Sequence, residues 1–90
     1  MKDNIDVGGM DTTAACPAWA RPAERSATVV QKLTDAGAVL LGKTTMPDYG
    51  MLSSGLSSFH QLTRNPWDLH KNPGGSSAGA AAAAAAGYGP

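Results

Sequence analysis

One stretch constrains what the rest of this chain can build: Pro73-Gly74-Gly75-Ser76-Ser77-Ala78-Gly79, then alanines from Ala80 to Ala86, then Gly87-Tyr88-Gly89-Pro90. Paired glycines release the backbone from ordinary steric limits, and alanine is the strongest helix former. The pattern predicts a turn that delivers two hydroxyls to the start of a helix, whose small side chains let another backbone pack close. On Gly74-Gly75-Ser76-Ser77 alone, the ordinary reading is a serine N-cap on an alanine helix. A phosphate cradle is the second reading, because helix N-termini bind anions. The specific nucleotide-binding loop carries Lys-Ser/Thr after its second glycine, and that pair is absent here.

Upstream, Ser26 is placed to cap a helix whose apolar stripe is Val29, Val30 and Leu33, extended by Ala36. Gly37 is its natural stop. Ala38-Val39-Leu40-Leu41-Gly42 is a continuous apolar run, the pattern of a strand buried on both faces. Helix, glycine and buried strand make half of an α/β layer unit. Pro47 can begin a short helix through Met51. Residues 53–72 read as an irregular loop, with Asn65-Pro66 as a turn signal and Phe59, Leu62 and Trp67 expected to pin it down. Nearer the start, Ile5 and Val7 hint at a short strand, Gly8-Gly9 turns the chain, and Thr12-Thr13 begins a second extended piece. Cys16 to Pro22 is a proline-punctuated loop.

Bulk properties narrow the function classes. The chain has ninety residues and an apolar fraction of 42%, but much of that is alanine. A chain this small buries a limited share of its surface, so residues 1–90 are expected to be one partial domain rather than a complete folding unit. Seven basic residues balance seven acidic ones, which argues against an electrostatic nucleic-acid or membrane-surface partner. The lone Cys16 cannot form an internal disulfide and fits a reducing compartment. No apolar signal segment is visible at the start, and the longest apolar run is far short of a membrane span. A cytoplasmic location is the expectation.

Lys2-Asp3-Asn4-Ile5-Asp6-Val7, the helix–strand unit ending Gly42-Lys43-Thr44, the Thr63-Arg64-Asn65-Pro66-Trp67-Asp68 turn and Pro73-Gly74-Gly75-Ser76-Ser77 occur in a characteristic order. Together they resemble the amidase signature family of amide hydrolases, over nearly the whole chain. The resemblance implies an α/β fold, the N-terminal portion of a mixed sheet flanked by helices, incomplete within these 90 residues. It also implies a Ser–Ser–Lys triad, a variant of the nucleophile–base–orienter arrangement. The triad lysine falls on Lys2. The bridging serine, which in this family follows a cis peptide bond, falls on Ser76. The nucleophilic serine is expected in a later Gly-Gly-Ser segment, roughly two dozen residues further on, in the manner of triads dispersed along a chain.

The chemistry calls for these residue types. An amide carbonyl is a poor electrophile, so the attacking serine must lose its proton as it attacks. A bridging hydroxyl can accept that proton and donate its own at once, passing it to a lysine amine in its neutral form. The implied reaction converts a carboxamide to a carboxylate and ammonia through an acyl-serine, on a small-molecule amide and without a cofactor. The isolated chain, lacking the nucleophile, is expected to be inactive and to depend on the remainder of an amidase domain. No oligomeric state is implied.

Two departures from the family pattern stand out. Ala78 and Ala80 replace the more usual Gly and Ser of Gly-Gly-Ser-Ser-Gly-Gly-Ser, neither at a triad position. The segment before Trp67 lacks the Thr-Glu-Asn-Ser pattern of the glutamyl-tRNA(Gln) amidotransferase A subunit, which favours a general amidase over that alternative. A non-catalytic binding or structural domain is the rival from another class. Cys16 has no sequence signature of an activating partner, His60 and His70 match no metal spacing, and Ser53, Ser54, Ser57 and Ser58 read as loop hydrogen-bonders.

Overall fold

The regular elements are short, and each is explained by its local sequence. The computed structural model describes residues 1–89; Pro90, the last residue of the Gly-Tyr-Gly-Pro ending, lies outside the described residues. Strand β1 (Asp11–Thr12) pairs antiparallel with β2 (Arg21–Pro22), with Asp11 opposite Pro22. A proline fits there because the pair is a two-stranded ribbon with free edges. A 3-10 turn at Pro17–Trp19 fills the intervening loop. Two helices follow, α1 (Thr28–Asp35) and α2 (Ala78–Ala85), with a 3-10 turn at Asp48–Gly50 between them.

Both helices stop in the same way. Gly37 adopts φ +91°, its N–H donates to the Thr34 carbonyl, and the Ala38 N–H reaches back to Leu33. At the end of α2, the Gly87 N–H bonds Ala84 and the Tyr88 N–H bonds Ala83. This pair of bonds satisfies carbonyls that a helix end leaves open. The helix starts differ from expectation. Ser26 does not cap α1: its Oγ accepts from the Gly8 N–H at 2.9 Å, while the Ala27 N–H donates to Asp6. The hydroxyl is used to tie the helix entry to the N-terminal segment instead of to the helix itself. Ser77 does stand at the N-cap of α2, but its side chain makes no capping bond.

The core is small: Val7, Ala14, Ala15, Ala23, Val30, Met46 and Ala78 are buried, together with Asp3, Thr12 and Thr13. Of the stripe on α1, only Val30 is inside; Val29 and Leu33 remain largely exposed. The expected strand over Ala38–Gly42 is not formed, and Val39 and Leu41 are each 82% exposed. Burial on both faces needs neighbouring strands and a layer on each side. Here the run meets Met1–Lys2 along one edge, with a Lys2–Thr44 parallel bridge and a bond from the Met1 nitrogen to the Gly42 carbonyl. It also borders an open groove of about 770 Å³ shared with Leu33, Ala80, Ala83 and Tyr88. The Ile5–Val7 segment is likewise not a strand; the Ile5 N–H closes a turn on Lys2.

Residues 53–72 are irregular, with an isolated Asn65–Asp68 bridge at the Asn-Pro turn. The aromatic and aliphatic residues expected to pin this loop do not: Phe59, Leu62 and Trp67 are exposed. Polar contacts hold it. Thr63 Oγ1 lies 2.6 Å from Thr45 Oγ1, the Thr63 N–H donates to Gly55, Asn72 Nδ2 donates to the Ser53 carbonyl, and the Ser58 N–H donates to Asp48. Such directional anchors fix a loop without a hydrophobic core beneath it. Among the described residues, no helix is long and apolar enough to cross a membrane.

Candidate active site

Lys2 and Ser76 meet although 74 positions separate them. Lys2 sits on the bridge to Thr44, which sets its backbone direction. Ser76 ends the glycine turn that leads into α2. Lys2 Nζ donates to Ser76 Oγ at 2.5 Å, and both residues are half-buried. The Gly75–Ser76 peptide is cis. The structure thus brings together the two residues singled out from the sequence.

At Gly75 and Gly79, on either side of Ser76, backbone comes too near for a side chain. A methyl group on Gly75 would lie 2.4 Å from the Ser54 nitrogen and 2.8 Å from the Leu52 carbonyl oxygen. One on Gly79 would lie 2.4 Å from the Thr45 nitrogen, and the Gly79 N–H itself donates to the Thr45 carbonyl. Real contacts of that kind do not occur, so these positions let residues 52–54 and residue 45 press against the start of α2. Gly74, with φ +86°, supplies the left-handed backbone that begins the turn. Gly50 lies beside Ser76 and adopts φ +72°, a left-handed conformation that favours glycine.

Behind Lys2 lies a buried polar cluster that the sequence did not signal. Asp3 is buried, its Oδ1 lies 3.0 Å from Lys43 Nζ, and its Oδ2 accepts from Thr13 Oγ1 and lies 3.1 Å from His60 Nε2. Lys43 Nζ uses its other donors on the Asp11 carbonyl, at 2.7 Å, and Thr12 Oγ1, at 3.0 Å. Burial pushes the Asp3 carboxyl up, but the bonds from Thr13, Lys43 and His60 outweigh it and hold the group below the ordinary aspartate value. His60 therefore has a partner that its bland loop context gave no reason to expect. The one available hint is that Asp3 immediately follows Lys2.

The serines of the long loop behave as local hydrogen-bonders: Ser54 Oγ accepts from Leu56, and Ser57 Oγ accepts from Phe59 and His60. Cys16 has a partner after all. Tyr49 Oη donates to its Sγ at 3.0 Å, and this bond lowers the thiol below its ordinary value. Tyr49 packs edge-on against Trp19.

Lys2 and Ser76 thus meet at the glycine turn before α2, and the sequence profile of the amidase family matches residues 1–90. The chain belongs to the amidase family. It is 50% identical to the A subunit of glutamyl-tRNA(Gln) amidotransferase from Symbiobacterium thermophilum, over all of this chain and 19% of the relative. It is 47% identical to the corresponding subunit from Saccharolobus solfataricus, over 98% of this chain and 19% of that one. The chain spans about a fifth of the length of these curated relatives. Among solved structures, it superposes on the Thermotoga maritima A subunit with a TM-score of 0.83 and 46% identity, covering 91% of this chain and 18% of that chain. It matches Kluyveromyces lactis allophanate hydrolase with a TM-score of 0.85 and 41% identity, covering 91% and 13%. A 6-aminohexanoate cyclic dimer hydrolase matches with a TM-score of 0.85 and 37% identity, covering 94% and 19%.

These likenesses show the α/β amidase fold, of which the small sheet and two helices are part. The chain lacks Thr-Glu-Asn-Ser before Trp67 and is nevertheless 50% identical to an amidotransferase A subunit.

Proposed function

We propose that these residues supply the base and the proton bridge of a carboxamide-cleaving enzyme. The contact between Lys2 Nζ and Ser76 Oγ carries the reading. With the lysine neutral, the Ser76 hydroxyl donates to the amine and accepts from a second serine, the nucleophile, contributed by a segment beyond Ser77. That serine attacks the amide carbon, its proton passes through Ser76 to Lys2, and the same route returns a proton to the departing nitrogen. Ammonia leaves, an acyl-serine remains, and water converts it to the carboxylate. Residues 1–90 act as one partial domain, completed by the remainder of an amidase domain. The lone Cys16 supports a reducing, cytoplasmic setting.

The curated relatives favour a second reading, in which the carboxamide is glutamine and the chain belongs to an amidotransferase A subunit. The two readings share the amide-cleaving step and differ in where the ammonia goes. The test is ammonia release by residues 1–90 alone, and by a chimera carrying them in place of the matching segment of the Thermotoga A subunit. The proposal expects no release from the chain alone and release from the chimera. Release from the isolated chain that Ser76→Ala abolishes contradicts the external nucleophile. A chimera that acts on glutamine and not on simple aliphatic amides favours the amidotransferase reading.

A further inference from the structure

Among the described residues, the Asp3 cluster is a group of buried and half-buried titratable side chains that the proton relay does not use. It touches the segments that carry Lys2 and Thr44 and, through His60, the loop that lies against Gly75. Asp3 follows Lys2 directly, at the turn that the Ile5 N–H closes on the Lys2 carbonyl. Its partner Lys43 precedes Thr44, the residue bridged to Lys2. The Asp3–Lys43 pair therefore clamps, side chain to side chain, the same two backbone stretches that the Lys2–Thr44 bridge joins. Lys43 in turn grips β1 through Asp11 and Thr12, and the Ala14 N–H donates to the Asp3 carbonyl. On the far side, His60 belongs to the long loop whose residues 52–54 lie against Gly75, directly before Ser76.

We infer that Asp3 is a positioning residue, whose carboxylate sets Lys2 against Ser76 by fixing Lys43 on one side and the His60 loop on the other. The inference rests on the proposed role of the Lys2–Ser76 pair. A buried carboxylate with three partners at fixed directions can do this, because each oxygen constrains a different segment. Neutralising it leaves Lys43 buried without its counter-charge, which a low-dielectric site penalises. The Lys43 end then moves towards water, and the bridge to Lys2 loosens with it.

Competitive acylation of lysines, read by mass spectrometry on residues 1–90 within the chimera with the Thermotoga A subunit, tests this. Lys32 and Lys71 serve as exposed references. In the parent chimera Lys2 is protected relative to both, and Ser76→Ala reduces that protection. Asp3→Asn is expected to raise Lys2 labelling about tenfold, the factor that about 1.4 kcal/mol of lost local closure gives. Asp3→Glu, which keeps the charge, restores part of it. Val30→Ala, which loosens the core away from the cluster, leaves the ratio of Lys2 to Lys32 unchanged, and this separates positioning from general stability. If Asp3→Asn fails to fold, His60→Gln decides: it removes one arm at a half-exposed loop and is expected to raise Lys2 labelling while Lys43 stays protected. Ser76→Ala unmasking Lys2 while folded Asp3→Asn does not overturns the positioning role and leaves the pair intact. Lys2 labelling as fast as Lys71 in the parent chimera overturns both.

Discussion

Gly79 donates its N–H to the Thr45 carbonyl from inside a helix that is otherwise alanine. That close approach holds the first turn of α2 against Thr45, and it separates helix propensity from packing. Alanine at this position gains about 1 kcal/mol of propensity. The new methyl, however, would lie 2.4 Å from the Thr45 nitrogen and 2.5 Å from Thr45 Oγ1, and forced overpacking costs about 1–3 kcal/mol or more. Gly79→Ala is therefore expected to destabilise despite improving the helix sequence. Ala81→Gly, on the exposed side of the same helix, loses about 1 kcal/mol from propensity alone. Urea midpoints of the two variants check this; a stabilised Gly79→Ala chain would show that the contact is not formed in solution.

Acid should act through Asp3. Its folded carboxyl lies below the ordinary aspartate value, so over the acid range the unfolded chain binds the proton more readily. Stability from this group is complete above the ordinary value, about 3.9, and is lost as pH falls through the depressed folded one. Denaturation midpoints from about pH 5 down to about pH 2 should decline, more steeply in the parent than in Asp3→Asn. Equal slopes in the two chains would remove Asp3 from the account of acid sensitivity.

The exposed positions Val39 and Leu41 should tolerate polarity. Val39 and Leu41 contribute little to the core of these residues, so Val39→Thr and Leu41→Thr should each change stability by less than about 0.5 kcal/mol. They should also reduce self-association, since an unpaired apolar edge recruits other chains. Sedimentation and urea titration report the two effects separately. A loss above about 2 kcal/mol for either substitution would mean that the side chain is buried in solution.

Tyr49→Phe should slow alkylation of Cys16 near neutral pH, because the hydroxyl that favours the thiolate is gone. An iodoacetamide rate profile against pH should shift to higher pH. An unshifted profile would mean that the Tyr49–Cys16 bond does not persist.

Sequence carried the features that local chemistry dictates. The stop at Gly37, the alanine helix, the turn at Gly74-Gly75 and the irregular loop were all legible, because each depends on residues close in the chain. Pairing Lys2 with Ser76 needed more than that: nothing between them encodes a contact across 74 positions, and the family resemblance suggested it. What failed was burial. Ala38–Gly42 reads as a core strand, yet apolar continuity specifies only what the side chains favour, and residues 1–89 place no layer over Val39 and Leu41. Phe59, Leu62 and Trp67 misled for the same reason. The Asp3–Lys43–His60 cluster was invisible because its members are 40 and 17 positions apart, in unrelated local contexts. Ser26 shows the same limit on a smaller scale, as a good cap by composition that Gly8 claims instead.

The relay is tested most directly in the chimera that carries residues 1–90 within the Thermotoga A subunit, by its rate of amide cleavage. Lys2→Met and Ser76→Ala should each lower kcat by about 10²–10⁴, the usual contribution of a positioned proton-transfer group. The double variant should lose little more than either alone, since the two act as one unit. Unchanged kcat in Lys2→Met, with the chimera otherwise active, would contradict the account.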